Sequence, residues 1–327
     1  MLSGILKGYK GIILSAVIGV LALIIGTYTP SSLNSVILAL FFGIILGNIV
    51  TLPADVSDGV TFTSGMLLEL SIIFLAFSIN YTHIAALGAG SFAIVAVVLF
   101  TIVILSFFLA KKFKCPGSTG WLVGFGTAIC GSSAIAALSP SVTKEKEDVA
   151  IAMAVVNLFG TIGMIVLPWI LVELSLSTTG AGLLIGGSLH SVGNVAGAGY
   201  TMSPEVGEAA LTIKLARVAL LTPGLILFNY LVNRETVKSW KEHFRLPWYL
   251  IGFILITLFV STIDLPGAFI KSMDSVGKIV LTIAMAAIGM KVSFVKLIQS
   301  GKKGLSFGLI IFLIQLSLIS LLLLISN

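Results

Sequence analysis

Charged residues are scarce in this sequence. Only 10% of its 327 residues are Asp, Glu, Lys or Arg, whereas 57% are hydrophobic. A soluble globular protein carries about a quarter charged residues, because its surface faces water. So few charges cannot cover a water-facing surface of this size. The composition therefore excludes an ordinary soluble fold and predicts a surface that faces lipid.

Cysteine and enzyme motifs are lacking as well. Neither Cys115 nor Cys130 has metal-ligand spacing to another residue, and no disulfide is expected; the sequence leaves the role of Cys130 open. There is no His-Glu-x-x-His and no phosphate-binding P-loop. The longest hydrophilic stretch, roughly 233–247, is too short for a nucleotide-binding domain. We expect no catalytic residue, no metal, no cofactor and no nucleic-acid partner.

Long apolar runs are present instead, and each is close to the length of about 20 residues that a membrane-spanning helix needs. The clear candidates lie at roughly 11–28, 35–52, 63–80, 90–110, 149–171, 208–231, 247–263, 275–292 and 304–325. The predicted fold class is an all-α polytopic membrane protein in which residues 1–327 form a single transmembrane domain.

Two further apolar segments, 119–140 and 180–200, are interrupted by glycine and polar residues at their centres. They are predicted to be broken helices that either re-enter the membrane or cross it, which gives about 9 to 11 spans in all. Weak internal matches predict repeat-like units at about 63–171 and 180–325. If both broken segments re-enter, these units are inverted, as in many secondary transporters.

The positions of the basic residues predict the orientation of the chain. If the broken segments re-enter, only Lys271 lies clearly on the side opposite the other basic residues, and the positive-inside rule places the N-terminus in the cytoplasm. The residues on the basic side are Lys7, Lys10, Lys111, Lys112, Lys114, Lys144, Lys146, Arg234, Lys238, Lys241, Arg245, Lys291, Lys296, Lys302 and Lys303.

The two breaks are the first candidate for a binding site. A helix that begins at Gly131 would direct free amide groups and the hydroxyls of Ser132 and Ser133 towards an anion. Gly193 and Asn194 would supply the corresponding half of the site. The alternative is that these small residues only allow helices to approach closely.

Four ionisable residues within apolar segments extend this hypothesis. Lys214 and Arg217 lie three residues apart, hence on one helix face, and could bind or gate an anion. Alternatively, Arg217 forms a structural ion pair with Glu69 or Glu173, and Lys214 only extends its ammonium group to the membrane surface. His190 and Glu69 are candidates for proton coupling, because both lie within apolar segments.

Three segments resemble signatures of the YeiH-like family, bacterial membrane proteins described as sulfate exporters. They are Gly126–Ala137 (GTAICGSSAIAA), Ser188–Gly199 (SLHSVGNVAGAG) and Ala284–Lys291 (AMAAIGMK). The resemblance covers nearly the whole chain and implies a transporter. Ser191 and Asn194 depart from the family pattern, in which an acidic residue and a glutamine are common at these positions.

The expected function is therefore secondary transport of a small inorganic oxyanion, with sulfate or sulfite as the leading candidates. Export as the direction of transport and coupling to protons are further hypotheses. The alternatives are a cation-coupled small-carboxylate carrier and a passive anion channel. The expected partners are the anionic solute and the lipid bilayer of a bacterial cytoplasmic membrane. The sequence leaves the oligomeric state open, including a homo-oligomer.

Overall fold

The computed structural model describes residues 2–29, 34–112, 117–143, 145–232, 247–292 and 302–326, and every regular element in these ranges is helical. The helices are α1 (Leu2–Gly26), α2 (Ser35–Ile49), α3 (Ala54–Phe62), α4 (Leu68–Leu75), α5 (Tyr81–Ala86), α6 (Gly88–Lys112), α7 (Gly117–Ala128), α8 (Ser132–Val142), α9 (Lys146–Glu173), α10 (Thr178–Ser188), α11 (Val192–Met202), α12 (Pro204–Ala219), α13 (Leu221–Val232), α14 (Trp248–Thr262), α15 (Gly267–Met290) and α16 (Lys302–Ser326).

Several predicted features lie outside the described residues. They are the hydrophilic stretch up to residue 246, Cys115, Lys114, Lys144, Arg234, Lys238, Lys241, Arg245 and Lys296.

Within the described ranges, 6 helices are long and apolar enough to cross a membrane, or 7 when the bent pair α12–α13 counts as one span. The helices α2 and α14 are apolar but shorter. Together these elements coincide with the spans predicted from the sequence. Two spans begin at least two helical turns earlier than predicted. The span predicted to begin at residue 63 begins at Ala54, and a π-helical turn at Thr63–Leu67 joins α3 to α4. The span predicted to begin at residue 275 begins at Gly267.

The chain divides into two compact units that interleave along the sequence. The first comprises Met1–Ala86, Tyr200–Pro204 and Pro247–Phe294, and the second Leu87–Gly199, Glu205–Leu246 and Val295–Asn327. These boundaries do not follow those of the predicted repeat-like units, and the repeat stays a prediction.

Glycine contacts hold the first unit together. A Cβ atom at Gly43 of α2 would lie 2.2 Å from the carbonyl oxygen of Ala286 in α15, and one at Gly289 would lie 2.3 Å from that of Leu40. The helices α1 and α3 approach equally closely at Gly11. Small residues let helix backbones come together where apolar burial alone gives no driving force between helices in lipid.

The segment predicted to break near Gly131 is a helical hairpin in the second unit. Its first helix, α7, begins beside Ser118 and Thr119, and its second, α8, ends before Thr143; all three hydroxyls donate to the carboxylate of Asp148. Both ends of the segment therefore meet at one side chain. With 12 and 11 residues, each half-helix is about 17 Å long, too short to cross a membrane.

The second broken segment is also a hairpin, formed by α10 and α11. A Cβ atom at Gly186 of α10 would lie 2.3 Å from the carbonyl oxygen of Ala210, and one at Gly199 of α11 would lie 3.2 Å from the Cβ atom of Ala210. The two halves thus reach the same level of α12, and the chain reverses at Leu189–Ser191. Both broken segments therefore turn back on themselves, as the re-entrant alternative predicts.

The two hairpins start from opposite ends of α9. The first is tied to Asp148 in the first turn of α9, and the second begins at Thr178, shortly after α9 ends at Glu173. The 28 residues of α9 separate these bases by about 42 Å. The hairpins therefore enter the unit from opposite ends, as an inverted arrangement requires.

Candidate functional site

The tips of the two hairpins meet at Lys214 of α12. Its Nζ atom donates to the carbonyl oxygens of Ile129, Leu189 and His190 at 2.7, 2.8 and 2.6 Å. Ile129 belongs to the tip of the first hairpin, and Leu189 and His190 to the tip of the second. The side chain is completely buried. An ammonium group carries three N–H donors, and all three are used here.

Arg217, one helical turn further along α12, binds the same two tips. Its Nε atom donates to Ala128 at 2.7 Å, and its Nη2 atom donates to Thr127, both in the first hairpin. Its Nη1 atom donates to Gly187 at 2.8 Å and Leu189 at 3.0 Å in the second. All these acceptors are backbone carbonyl oxygens, and Arg217 is 1% exposed.

The breaks explain why two cations are buried together. The last carbonyl groups of a helix have no partner within the helix and form the negative end of its dipole. Both α7 and α10 end at this place, so their carbonyl groups stabilise the charges of Lys214 and Arg217. In the described part of the chain neither cation forms an ion pair with a carboxylate, which corrects the alternative of a structural ion pair. Lys214 does not reach the membrane surface either.

A third side chain, which was not predicted from the sequence, donates to the tips. Gln315 of α16 is fully buried, and its Nε2 atom donates to the carbonyl oxygen of Gly187 at 2.8 Å. The signal was present, because an amide side chain within a long apolar helix is costly unless it finds a partner. Asp148, at the base of the first hairpin, was missed for the opposite reason, since it lies in a charged segment of ordinary appearance.

The helix α8 begins with an open N-terminus. Gly131 precedes it with φ +74° and provides no side-chain cap. The Ser132 hydroxyl donates to Oδ1 of Asn157 in α9 at 3.0 Å. Ser133 and Asn157 are exposed although both lie far from the ends of their segments. The predicted residues Gly131, Ser132 and Ser133 are thus together, and the structure adds Asn157.

The helix α11 differs, because its own side chains cap its N-terminus. The Ser191 hydroxyl accepts from the amide of Asn194 at 3.0 Å, and Oδ1 of Asn194 accepts from the amide and hydroxyl of Ser191. Gly193 and Asn194 are buried in the first turn. Asn194 therefore binds its own helix end, and the two breaks are not equivalent.

The two predicted coupling residues lie in different units. His190 is buried at the tip of the second hairpin, with its ring centroid 5.0 Å from that of Phe312. Within the described residues its Nδ1 atom has no hydrogen-bond partner. Glu69 lies in the first unit, is half-buried and accepts a hydrogen bond from Nε1 of Trp248 at 2.5 Å.

Cys130 lies between the buried cations and the start of α8. It is a free thiol, 6% exposed, at the tip of the first hairpin. In the ranges that the structure describes, no group of three His, Cys, Asp or Glu side chains is placed to hold a metal ion.

In the described residues every regular element is a helix, and several helices are long enough to span a membrane. The protein is therefore a polytopic α-helical membrane protein. The family model "Conserved hypothetical protein 698" matches residues 10–308, so that the chain belongs to this family. Relatives of this chain include YeiH proteins, which confirms the resemblance to the YeiH-like family.

A UPF0324 membrane protein of Yersinia pestis is 33% identical over 321 residues, which cover 93% of this chain and 88% of the relative. The UPF0324 inner membrane protein YeiH of Escherichia coli O6:H1 is 33% identical over 312 residues, 92% and 89% of the two chains. The UPF0324 membrane protein YdhF of Lactococcus lactis is 31% identical over 332 residues, 96% and 98% of the two chains. No solved structure matches the chain.

Proposed function

We propose that this protein is a secondary transporter of a small inorganic oxyanion in the bacterial cytoplasmic membrane, with its N-terminus in the cytoplasm. Sulfate and sulfite are the first candidates. The observation that carries the proposal is the first hairpin tip: a positive centre without a partner carboxylate among the described residues lies on one side, and an open, polar helix N-terminus lies on the other.

The buried charges favour an anion. Lys214 and Arg217 give the tips two positive charges, and carbonyl dipoles stabilise these charges without cancelling them. A net positive charge in surroundings of low dielectric constant attracts an anion more strongly than it would in water. The cations thus favour an anion near the tips even though their N–H groups are bound to carbonyl oxygens.

The helix α8 supplies the groups that would bind the anion. Its first amide groups, the Ser133 hydroxyl and the Nδ2 amide of Asn157 are donors of the kind that an oxyanion uses at a helix N-terminus, and the Ser132 hydroxyl holds Asn157 by donating to its Oδ1 atom. Ser133 and Asn157 are exposed, which the proposal requires of groups that contact a solute. We assign binding to these residues and assign Lys214 and Arg217 to holding the tips and supplying charge. Asn194 and Gly193 would then support the second tip.

Transport, rather than catalysis, is the class that this arrangement favours. The donors are hydroxyl, amide and backbone groups, which bind an anion without activating a nucleophile. Half-helices that meet within a membrane protein are the usual substrate and ion sites of secondary transporters. The coupling mechanism is part of the proposal, with His190 and Glu69 as its candidate groups.

The test is uptake of labelled sulfate and sulfite by liposomes that contain the purified protein, measured as counterflow so that electroneutral exchange is also seen. We expect saturable flux. Ser133→Ala should raise KM about tenfold or more, because it removes a hydrogen bond to a charged ligand. Ser139→Ala is the matched control on the same helix, since its hydroxyl donates to Ala136 within α8.

Three results would contradict the proposal in distinguishable ways. Saturable flux of small carboxylates with no flux of oxyanions would indicate a carboxylate carrier. Flux that neither saturates nor concentrates solute would indicate a channel. Absence of flux for every anion tested, with folded protein in the liposomes, would exclude anion transport.

A further inference from the structure

The three oxygen atoms around the Lys214 ammonium form a compact cage. They come from Ile129 in one hairpin and from Leu189 and His190 in the other, at 2.6 to 2.8 Å. All are backbone carbonyl groups at the ends of α7 and α10. The cage therefore depends on the hairpin breaks and on no side chain except that of its occupant.

Such a cage has the chemistry of a cation site. Unwound backbone carbonyls and the C-terminal ends of half-helices coordinate the coupling ion in transporters with broken helices. Carbonyl oxygens that converge from separate segments replace the hydration shell of an alkali cation. In this chain the convergence point is filled by Nζ of Lys214.

An ordinary helix-capping interaction would not explain why Lys214 binds two hairpins. A lysine that caps one helix satisfies the carbonyl groups of that helix, whereas Lys214 joins oxygens from two hairpins that start about 42 Å apart at the ends of α9. Without a cation at this point, three carbonyl groups of both tips would face one another. Their mutual repulsion would weaken the contact between the tips, which Arg217 would then hold as the remaining cation.

We propose that the Lys214 ammonium is a covalently tethered cation in a cation site formed by the two hairpin tips. The natural protein therefore needs no free alkali cation to keep the tips together. Removal of the side chain opens the site to a small free cation, with methylammonium, ammonium and Na⁺ as the candidate classes. The occupation of this site by a cation does not depend on the proposed function. One consequence, that transport requires no Na⁺, does rest on the proposed function.

The experiment measures the melting temperature of purified protein in detergent, with choline chloride replacing other salts at constant ionic strength. For the natural protein we expect the same melting temperature in NaCl, methylammonium chloride and choline chloride. For Lys214→Ala we expect a lower value in choline. Methylammonium should raise it saturably, by roughly 5 °C at a hundred times its Kd.

Lys214→Met is the matched control. It removes the charge as Lys214→Ala does, but its side chain fills the space, so added cations should not raise its melting temperature. Tetramethylammonium, which has no N–H donor, should stabilise neither variant. These comparisons separate occupation of the cage from a general salt effect.

Several outcomes would overturn the proposal. One is a saturable rise in the melting temperature of the natural protein with Na⁺. Another is a response of Lys214→Ala that equals that of Lys214→Met. Aggregation of Lys214→Ala in every salt would also overturn it, because the proposal requires that a free cation can replace the ammonium. None of these readouts depends on transport, so failure of the proposed function would not be confused with failure of this inference.

Discussion

Lys214 and Arg217 both donate to the carbonyl oxygen of Leu189, at 2.8 and 3.0 Å. This oxygen lies at the tip of the second hairpin, and each cation also binds carbonyl groups of the first. One turn of α12 therefore holds the ends of two hairpins that enter from opposite directions. The relationship gives α12 a structural role in joining the two hairpins.

Arg217→Met should strongly destabilise the second unit. The change leaves the carbonyl groups of Ala128, Gly187 and Thr127 without this donor, and each unpartnered buried group costs about 1 to 3 kcal/mol. Gln315 still reaches Gly187, so that we expect a loss of about 3 kcal/mol or more in the free energy of unfolding. The measurement is denaturant or thermal unfolding in detergent.

Lys271→Met is the control for this loss, since Lys271 is an exposed cation on α15. Such a surface change should alter stability by about 0.5 kcal/mol or less. A loss in Arg217→Met no larger than that of the control would contradict the assigned role of Arg217.

Gly131→Ala should damage the first tip through its backbone. Gly131 has φ +74° and ψ −128°, a combination that is open to glycine and strained for L residues. A Cβ atom there would have ordinary contacts, 3.4 Å from the carbonyl oxygen of His190, so the cost is conformational and not a clash. We expect a loss of about 1 to 3 kcal/mol, measured as a lower melting temperature.

The matched change is Gly267→Ala. Gly267 begins α15 without a positive φ, and a Cβ atom at this position would meet no other atom within 4 Å. Alanine should be tolerated there or slightly stabilising, because it favours helix formation. Equal effects at both glycines would show that Gly131 is not strained.

Asp148→Ala should loosen the base of the first hairpin. The carboxylate accepts hydrogen bonds from Ser118, Thr119 and Thr143, which join the start of α7 and the end of α8 to α9. We expect faster amide hydrogen exchange in residues 117–143 and little change in 178–202, because the second hairpin has a separate base. Glu147→Gln, at the exposed neighbouring position, should leave exchange in both hairpins unchanged.

The helices of this protein could be predicted from its sequence, whereas the hydrogen-bond partners of its buried cations could not. Apolar length identifies the spans, and the glycine and serine residues near Gly131 and Asn194 predict the breaks. The hydrogen bonds of Lys214 join residues 24 to 85 positions away, and no local pattern indicates which acceptors a buried cation will find. The same two cations could have faced a solute, and only the folded arrangement shows that carbonyl groups bind their donors.

The hydrogen bonds between Ser191 and Asn194 could have been predicted from the local sequence. A serine followed three residues later by a polar side chain is the pattern of a capped helix N-terminus. The predicted role of Asn194 in an anion site stays a prediction; in the structure its Oδ1 atom accepts hydrogen bonds from Ser191 at the start of α11. The structure distinguishes the breaks by a single feature: α11 has a side-chain cap, and α8 begins after a glycine.

Coupling to a proton gradient should depend on His190 rather than Glu69. His190 is buried at the second tip, and Lys214 binds its backbone carbonyl, so that a side-chain change leaves this hydrogen bond available. Glu69 lies in the other unit and is bound to Trp248. We expect His190→Gln to remove the acceleration of uptake by a pH gradient, whereas Glu69→Gln and the exposed control His83→Gln retain it.

Each result of this comparison assigns the coupling differently. Initial uptake rates would be measured in liposomes with and without an imposed pH gradient, at equal amounts of folded protein. Loss of the response in Glu69→Gln alone would transfer the coupling role to that carboxyl group. A normal response in both variants would exclude proton coupling through either side chain. Because uptake without the gradient is measured in the same vesicles, a general loss of activity in His190→Gln is distinguished from a loss of coupling.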